Sequence, residues 1–577
     1  MARSTFPVRM PLQRSSSLPV ARYAAPATVD LADRTWPARR ITEAPRWLST
    51  DLRDGNQALP RPMDIERKSR LFRMLTRIGY KEIEIGFPAA SETEFAFTRK
   101  LIENDEIPDD VVIQAIVPAR ADLIRRTFEA LAGAPRAIVH LYNSTSAIQR
   151  RVVFGMDRAG IRQLAVDHAR LCRELADEHP GVIGFEYSPE SFSQTELDFA
   201  ADICSAVMDV WQPAPDREIV INLPATVECA GPGIFADQVE WMSRNLPYRE
   251  NVCLSLHPHN DRGTGVAAAE LGLQAGAQRV EGCLFGNGER TGNVCLLILG
   301  LNLMSHGVDP QIDFSEVAAL REEFEECTGM RVPERYPYAG ELVHTSFSGS
   351  HQDAINKGLR ALEERAEEHG RPVAEEPWNV PYLPIDPQDI GRSYEAIIRL
   401  NSQSGKGGVD YVLQAHYGLQ LPRGLQREMS VVIQHVSDEE DREILPEELW
   451  ESFRAEFLPA TTGVQLVSHK LTTTAAGDAE LKAEVVFRGE PYVVSGSGAG
   501  VLPAFAEALA DVGVTPEVLH HAAQPFTSDD EAGTLSYVQC RVAGRTVWGC
   551  GFDPDPDTAA LRGLCAALHR AQPVLAG

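Results

Sequence analysis

The feature that most constrains the fold is a regular alternation of short apolar runs and longer amphipathic segments from Arg46 to about Gly307. The apolar runs are Trp47–Thr50, Ile83–Phe87, Val111–Val117, Ala137–Leu141, Val182–Tyr187, Glu218–Leu223, Val252–Leu256 and Arg279–Phe285. Segments with helical periodicity between them include Ile65–Ile78, Ala121–Leu131, Gly160–Glu178, Thr195–Val210 and Gly265–Ala275. Eight such units predict an α/β fold, a (β/α)8 TIM barrel. A doubly wound open sheet is the alternative, but it rarely needs eight units.

Polar clusters follow the apolar runs, where the βα loops of a barrel would converge on one face. These clusters are D-L-R-D-G-N-Q (51–57), H-L-Y-N (140–143), E-Y-S-P-E (186–190), N-L-P-A-T (222–226), H-P-H-N-D (257–261) and G-N-G-E-R-T-G-N (286–293). Barrel enzymes place their active sites at the carboxyl ends of the strands. Six clusters at corresponding positions therefore predict an active site on that face.

The remaining chain suggests three further regions around a barrel at residues 46–330: an N-terminal arm at 1–45, linker subdomains at 331–462 and a last domain at 463–577. The linker is rich in Pro, Gly and Glu, which favours small helices, with a charged one near Ala361–Glu368, rather than a second large core.

The last domain shows strands at Val464–Thr474, Leu481–Phe487, Pro491–Ser495, Leu535–Val542 and Thr546–Gly551, with helices at Leu502–Val512 and Thr558–Arg570. Strands, a Gly-x-Gly element and a helix thus occur twice. This order predicts a small α+β domain with an internal duplication.

Composition excludes several function classes. The formal charge of −27 opposes binding to nucleic acid, and the longest apolar stretches, such as Cys295–Met304, are too short to span a bilayer. Ten scattered cysteines without a C-x-x-C pair indicate a reduced, cytoplasmic protein. The first 29 residues carry four arginines and no acid, but prolines at 7, 11, 19 and 26 favour a mobile arm over a targeting helix.

The pair His257 and His259 is the strongest candidate for metal binding. Alternate residues of a strand point to the same side, so both imidazoles can reach one ion, and Asp54 at the end of another strand would supply an oxygen. Such mixed ligands suit Zn2+, Mn2+ or Mg2+ with positions left for substrate. A structural role for one or both histidines is the alternative that the H-x-H pattern alone leaves open.

Other polar residues of the clusters are candidates for substrate binding. Arg53 can clamp a carboxylate with two parallel hydrogen bonds, although a salt bridge to a neighbouring loop is the alternative. Glu190 could hold or activate a catalytic group, and Ser188 and Thr226 could donate hydroxyl hydrogen bonds or merely form turns. Further candidates in the Gly-rich loop are Asn287, Glu289 and Asn293.

Two candidates lie outside the barrel. His351, in the linker, could be a base delivered to a site that must open for two substrates, or an ordinary surface histidine. The glycines at 496, 498 and 500 do not match a dinucleotide-binding motif, but backbone and a helix N-terminus there could bind a small carboxylate. A tight turn is the alternative for these glycines.

Several strings are similar to known enzymes. L-R-D-G-N-Q, H-P-H-N-D-R-G and E-G-C-L-F-G-N-G-E-R-T-G-N resemble the barrel superfamily of acyl-CoA Claisen enzymes. The strings S-G-S-H-Q-D-A-I-N-K-G and P-I-D-P-Q-D-I-G-R-S-Y-E-A-I-I-R-L-N-S-Q-S-G-K-G-G resemble the long form of the 2-isopropylmalate synthase family. The similarity runs from about Thr35 to the C-terminus.

This resemblance implies condensation of acetyl-CoA with 3-methyl-2-oxobutanoate, the first committed step of leucine biosynthesis. It implies a divalent metal ion, with K+ as an activator, and a homodimer that exchanges its linkers. The implied metal ligands are Asp54, His257, His259 and Asn293; the implied substrate-binding residues are Arg53, His140, Tyr142, Ser188 and Thr226; the implied catalytic residues are Arg53, Glu190, His351 and Tyr382.

The resemblance further implies feedback inhibition by leucine through the last domain, at Gly496, Gly498 and Gly500. The chain has Ala499 and Val501 where the family usually has Asn and Pro. Homocitrate synthase, citramalate synthase, a hydroxyacyl-CoA lyase on the same barrel and a non-catalytic amino-acid sensor are the alternatives.

Overall fold

The computed structural model describes residue 22 and residues 26–346, 349–392, 406–440, 444–458, 464–473, 478–528 and 531–571. The chain divides into two compact units, Met1–Val332 and Pro333–Gly577. Within those ranges, no helix combines the length and apolarity that crossing a membrane requires.

The first unit is built around a closed barrel of eight parallel strands in chain order, in which the last strand pairs with the first. This confirms the predicted TIM barrel. The strands are β1 Arg46–Ser49, β2 Glu82–Gly86, β3 Val112–Pro118, β4 Arg136–Ser144, β5 Val182–Glu190, β6 Ile219–Ala225, β7 Val252–Pro258 and β8 Arg279–Gly282. The helices of this unit are Ile65–Ile78, Glu92–Glu103, Ala121–Leu131, Arg158–Glu178, Leu197–Trp211, Pro232–Asn245, Gly265–Gln274, Leu296–Ser305 and Val317–Thr328.

Helix Ile65–Ile78 shows how local chemistry sets the element boundaries. The Asp64 side chain caps its first turn by accepting a hydrogen bond from the Arg67 backbone N–H at 2.9 Å. Gly79 ends the helix with φ of +116°, a conformation that favours glycine. The apolar face between these caps, which includes Leu71, Phe72 and Leu75, is fully buried.

The interior of the barrel contains a layer of buried polar side chains. Its centre is Arg279, which is fully buried and donates to Glu82 at 2.7 Å, Glu186 at 2.8 Å and Glu281 at 2.8 Å. A fourth bond reaches Gln114 Oε1 at 2.9 Å. Barrel cores are usually dominated by branched apolar side chains, so this layer marks a barrel whose interior supports a polar site.

The described end of the predicted N-terminal arm is attached to the barrel. The Thr35 hydroxyl and backbone N–H donate to the buried carboxylate of Glu240, at 2.6 and 3.0 Å. The Trp36 indole N–H donates to Asp237 at 2.8 Å. Residues 1–21 and 23–25, where most of the predicted mobile segment falls, lie outside the described residues.

In the first part of the second unit, the α-helices among the described residues are Gly349–His369, Lys406–Tyr417, Arg423–Glu440 and Pro446–Phe457. They share a buried apolar cluster that includes Leu362, Leu413, Met429 and Phe453, and this cluster extends to Trp548 in the following domain. The expectation that the linker lacks a large core is therefore wrong. The helices carry many charges, and these obscured the apolar positions that pack together.

Two three-stranded antiparallel sheets follow, each with a helix. In each sheet, the second strand along the chain lies between the first and the third. The elements are β9 Val464–Thr473, β10 Ala479–Phe487, β11 Glu490–Gly498 and helix Val501–Ala508, then β12 Glu517–Ser528, β13 Glu531–Val542, β14 Arg545–Asp553 and helix Pro556–Arg570. Three strands and a helix thus occur twice, as the predicted duplication requires. Strand β12 was not predicted.

Paired glycines let the helix of each repeat approach its sheet closely. A Cβ on Gly496 would lie 2.4 Å from the Ala504 carbonyl oxygen, and one on Gly498 would lie 2.8 Å from the Ala504 backbone nitrogen. In the second repeat, a Cβ on Gly549 would lie 2.1 Å from the Ala567 nitrogen. Gly496 and Gly498 belong to strand β11 and not to a tight turn; Gly500, with φ of +117°, precedes the helix.

We expect Gly496→Ala to destabilise the second unit, because the obstructing atoms are main-chain atoms that cannot rotate away. Overpacking of this kind costs about 1–3 kcal/mol, which should lower the apparent midpoint of the corresponding transition in differential scanning calorimetry. Ser495→Ala is the matched control, since Ser495 is the neighbouring exposed strand residue. Equal midpoints for the two variants would contradict the packing role.

Candidate metal centre and active site

A cavity of about 270 Å³ opens at the carboxyl end of the barrel strands. Its lining includes ten of the residues singled out in the sequence: Arg53, Asp54, His140, Tyr142, Ser188, Glu190, Thr226, His257, His259 and Glu289. Gln57, Asn222 and Arg290 also contribute. The strand ends thus bring the polar clusters together in one cavity, as the barrel topology requires.

Asp54 and the two histidines converge within this cavity. Ligand atoms of Asp54, His257 and His259 all lie within 4.8 Å of one another, and all three residues are buried. Asp54 Oδ2 is 3.2 Å from His257 Nε2 and 3.5 Å from His259 Nε2. Asn293 Oδ1 is 2.8 Å from His257 Nε2, which places an amide oxygen at the same point. Two imidazoles, a carboxylate and an amide oxygen form a donor set that fits a divalent metal ion.

The backbone after β1 presents Arg53 and Asp54 to the cavity. Residues Asp51–Gly55 form a π-helical turn, in which the Thr50 carbonyl accepts from the backbone N–H groups of Arg53 and Gly55, both at 3.1 Å. Single π-helical turns are rare and occur frequently at functional sites. This turn is how the D-L-R-D-G sequence places two adjacent charged side chains in the cavity.

The three candidate ligands have strongly perturbed pKa values. Burial would raise the pKa of Asp54, but the Arg53 guanidinium and His257 hold it well below its usual range. Burial would lower the pKa of His257, but hydrogen bonds to Asp54 and Glu281 raise it to about 9. Burial and the neighbouring His257 lower the pKa of His259 to about 4. Asp54 is therefore ionised, and a cation can take the position of the His257 proton.

Arg53 is held by two carboxylates rather than left free. Its Nε donates to Glu84 Oε2 at 2.5 Å, and its Nη1 lies 3.3 Å from Asp54 Oδ1. Arg53 thus forms a salt bridge, but its partners are a residue of strand β2 and the adjacent Asp54 and not a neighbouring loop. Because the guanidinium lines the cavity, these contacts fix the orientation in which it can face a substrate carboxylate.

His140 and Ser188 belong to a hydrogen-bonded chain along the cavity wall. Glu84 Oε1 lies 2.8 Å from His140 Nδ1, and His140 Nε2 lies 2.7 Å from Ser188 Oγ. The Asn222 amide donates to the same hydroxyl at 2.9 Å. This chain makes one wall of the cavity polar and rigid, which suits a wall that discriminates between substrates.

Thr226 and Glu190 occupy neighbouring positions at the mouth. Thr226 Oγ1 accepts from the Ser191 backbone N–H at 3.0 Å, so its own hydroxyl proton remains available to a ligand. Glu190 accepts a hydrogen bond from the Ser144 hydroxyl.

The Gly-rich loop after β8 closes one side of the cavity. Asn287 donates to the Gly55 carbonyl at 2.8 Å, which ties this loop to the π-helical turn. A Cβ on Gly292, where φ is +95°, would lie 1.9 Å from the Gly286 carbonyl oxygen, so the tight loop requires glycine there. Arg290 Nε donates to Asp261 at 2.6 Å.

His351 and Tyr382 belong to the second unit, and the structure brings these two predicted residues together. Their rings are stacked with centroids 4.0 Å apart. Tyr382 adopts φ of +65°, and the residue is 61% exposed. Gly496, Gly498 and Gly500 also lie in the second unit, where the first two take part in the strand–helix packing described above.

Residues of this site that the sequence reasoning did not single out include Gln57, Glu84, Asn222, Glu281 and Arg290. Gln57 donates to Asp54 at 2.9 Å, and Glu281 lies 2.9 Å from His257 Nδ1. Glu281 carried a usable signal, because a charged residue in a buried strand, two positions from Arg279, must face the same side and find a partner.

Comparison with known proteins covers nearly the whole chain. The family model HMGL-like matches residues 44–323, the model of the alpha-isopropylmalate synthase post-catalytic domain matches 341–414, and the LeuA allosteric (dimerisation) domain matches 443–572. A solved hydroxymethylglutaryl-CoA lyase from Pseudomonas aeruginosa is 17% identical, covering 50% of this chain and 91% of that one with a TM-score of 0.39.

Curated relatives match over almost their entire length. The 2-isopropylmalate synthase of Thermobifida fusca is 54% identical over 566 residues, covering 98% of this chain and 100% of that protein. The 2-isopropylmalate synthase of Mycobacterium leprae is 53% identical, covering 97% of this chain and 94% of that protein. The chain belongs to the 2-isopropylmalate synthase family.

Proposed function

We propose that this protein condenses acetyl-CoA with 3-methyl-2-oxobutanoate and water to form 2-isopropylmalate and CoA, the committed step of leucine biosynthesis. The observation that carries the proposal is the convergence of Asp54, His257 and His259 at the barrel mouth, in a chain whose full-length relatives are named 2-isopropylmalate synthase. A biosynthetic reaction of this kind fits a cytoplasmic location.

The proposed metal site uses Asp54, His257 and His259, with Asn293 beside them. A divalent ion bound there supplies Lewis-acid polarisation of the substrate's 2-oxo group. Mg2+, Mn2+ and Zn2+ all accept such a mixture of oxygen and nitrogen donors.

The cavity wall offers donors for the other groups of a 2-oxo acid. Arg53 is fixed by Glu84 and Asp54 and can face the carboxylate, and Thr226 keeps a hydroxyl proton to donate. His140, Tyr142 and Ser188 line the same cavity. We assign to these residues the lining of the 2-oxo acid pocket, where His140 Nε2 and Ser188 Oγ are hydrogen-bonded to each other at 2.7 Å.

The acetyl methyl group is a weak carbon acid, so a positioned base is required. We assign this role to His351, supported by Tyr382, whose stacked ring restricts the imidazole, and by Glu190. The carbon that loses the proton then attacks the 2-oxo carbon, and the 2-oxo oxygen takes up a proton to become the hydroxyl group of the product. Water subsequently cleaves the thioester C–S bond, the carboxylic acid forms, and CoA leaves as its thiol.

The match to the LeuA allosteric (dimerisation) domain supports two further parts of the proposal. The active form is a homodimer in which the partner supplies the linker base, and leucine, the end product, inhibits through residues 463–577. The substitutions at Ala499 and Val501 lie beside the glycines that we associate with leucine, so they are positions where its affinity can differ.

The substrate assignment predicts a clear ranking of 2-oxo acids. Release of CoA thiol from acetyl-CoA should be fastest, by kcat/KM, with 3-methyl-2-oxobutanoate, compared with 2-oxoglutarate and pyruvate. A chelator should abolish the release, and added Mg2+ or Mn2+ should restore it. A preference for 2-oxoglutarate would indicate a homocitrate synthase and one for pyruvate a citramalate synthase, whereas no thiol release at all would favour a lyase.

The metal assignment predicts that His257→Ala loses bound metal and lowers kcat/KM at least about a hundredfold, because a ligand of the polarising ion is removed. Metal analysis after dialysis and the thiol-release assay measure the two effects. His306→Ala, which removes an exposed histidine at a helix end of the same unit, should change neither. Near-normal turnover and metal content in His257→Ala would refute the assignment.

The base assignment predicts that His351→Ala lowers kcat by about 10²–10⁴-fold, the usual contribution of general-base catalysis. The KM for the 2-oxo acid should change little, since its carboxylate and 2-oxo groups contact barrel residues. His416→Ala, at an exposed helix end of the second unit, is the control. If His351→Ala instead raised KM with kcat unchanged, His351 would have a binding role and not a basic one.

A further inference from the structure

His257 differs from His259 in how its second nitrogen is held. His257 Nδ1 lies 2.9 Å from the carboxylate oxygen Oε2 of Glu281, which is fully buried. A carboxylate only accepts hydrogen bonds, so this contact holds the proton on Nδ1. With that proton held on Nδ1, Nε2 is the nitrogen left for a metal ion, and it faces the acceptor oxygens Asp54 Oδ2 and Asn293 Oδ1 at 3.2 and 2.8 Å.

Glu281 is itself fixed by a set of buried donors. Its Oε1 accepts from Arg279 Nη1 and from Ser255 Oγ, both at 2.8 Å. Its Oε2 also receives the Asn222 amide at 3.3 Å. Every one of these residues is nearly inaccessible to solvent, so water does not compete for the carboxylate.

The pleat of two neighbouring strands creates this arrangement. Ser255 and His257 are two residues apart on β7, and Arg279 and Glu281 are two residues apart on β8, so each pair faces the barrel interior. The strand register pairs Ser255 with Arg279, so the two β7 residues lie beside the two β8 residues. The contact is therefore part of the sheet and not of a mobile loop.

His259 has no comparable support. It follows the end of β7, and its Nδ1 is buried without a hydrogen-bond partner among the described residues. Both imidazoles belong to the same H-x-H motif, but only the His257 ring is held in a defined orientation by a carboxylate at its Nδ1.

We propose that Glu281, held by Arg279 and Ser255, is a positioning residue that fixes the ring orientation and tautomer of His257 and thereby sets the metal affinity of the site. The inference rests on the metal site of the proposed function. It assigns a role to residues of the barrel interior, Ser255, Arg279 and Glu281, that are not part of the described cavity lining.

Glu281→Gln tests this role, because the amide retains the size of the side chain but removes the carboxylate. Titration calorimetry of the metal-free full-length protein with Mn2+ should show an affinity about 10–100-fold weaker than that of the unchanged protein, the usual effect of losing such support. The visible absorption of bound Co2+, which reports ligand geometry, should also change.

Glu82→Gln is the matched control. Glu82 accepts from the same Arg279 at 2.7 Å and lies in the same buried layer, and its described contacts do not include His257. Both variants disturb the ion pairs of Arg279, so both should lower thermal stability. Only Glu281→Gln should weaken Mn2+ binding; equal Mn2+ affinities in the two variants would overturn the inference.

Two further variants distinguish the possible reasons for a negative result with Glu281→Gln. Ser255→Ala removes one donor to Glu281 and should weaken Mn2+ binding by a smaller factor, which decides the question if Glu281→Gln does not fold. His257→Ala distinguishes a failure of the positioning role from a failure of the metal site. If His257→Ala loses Mn2+ but Glu281→Gln and Ser255→Ala do not, the positioning role alone fails; if His257→Ala binds Mn2+ normally, the metal site fails.

Discussion

The buried guanidinium of Arg279 is the constraint on which the barrel interior depends. An unpaired charge there would be strongly destabilising, and ion pairs offset the loss of hydration only when their hydrogen bonds are well formed. Arg279 meets this condition with three carboxylates, Glu82, Glu186 and Glu281, and the Gln114 amide oxygen. A barrel filled with Val, Ile and Leu would avoid the cost of burying charged groups. The polar layer is therefore explained by the cavity side chains that it holds in place.

The side chains that the polar layer supports lie one layer nearer the cavity. Glu281 connects Arg279 to His257, and Glu84 connects Arg53 to His140. His257, His140 and Arg53, which line the cavity, are therefore each held by a buried carboxylate, whereas His259 is not. Rigid support of this kind keeps polar groups at fixed positions, which catalysis by charge stabilisation requires.

The sequence predicted those parts of the structure that depend on periodicity. The alternation of strand and helix patterns located all eight barrel strands, and the i, i+2 spacing of His257 and His259 predicted that both reach one point. Asp54 could be added because the strand ends of a barrel converge. These inferences need only chain order and the pleat of a strand.

The parts that were not predicted depend on contacts between distant segments. Glu84 meets His140, and Glu281 meets His257, only because the barrel closes with a particular register. The core of the second unit was missed for a similar reason, since Leu362, Met429 and Phe453 come from three different charged helices and meet in one cluster only in the folded chain. Local patterns show that such residues face inward, but not which residues they meet.

Tyr382, in the second unit, adopts an unusual backbone conformation at an exposed position. A non-glycine residue with φ of +65° is strained by about 1–2 kcal/mol, and a large exposed aromatic ring gains little from burial. Stability of the isolated unit therefore does not explain this conformation. Its ring stacks on the imidazole of His351, with centroids 4.0 Å apart, so this contact restricts the orientation of the histidine to which we assign proton abstraction. The barrel holds its own groups differently, through buried carboxylates. In the proposed reaction, an exposed support would suit a base that has to admit acetyl-CoA before it acts.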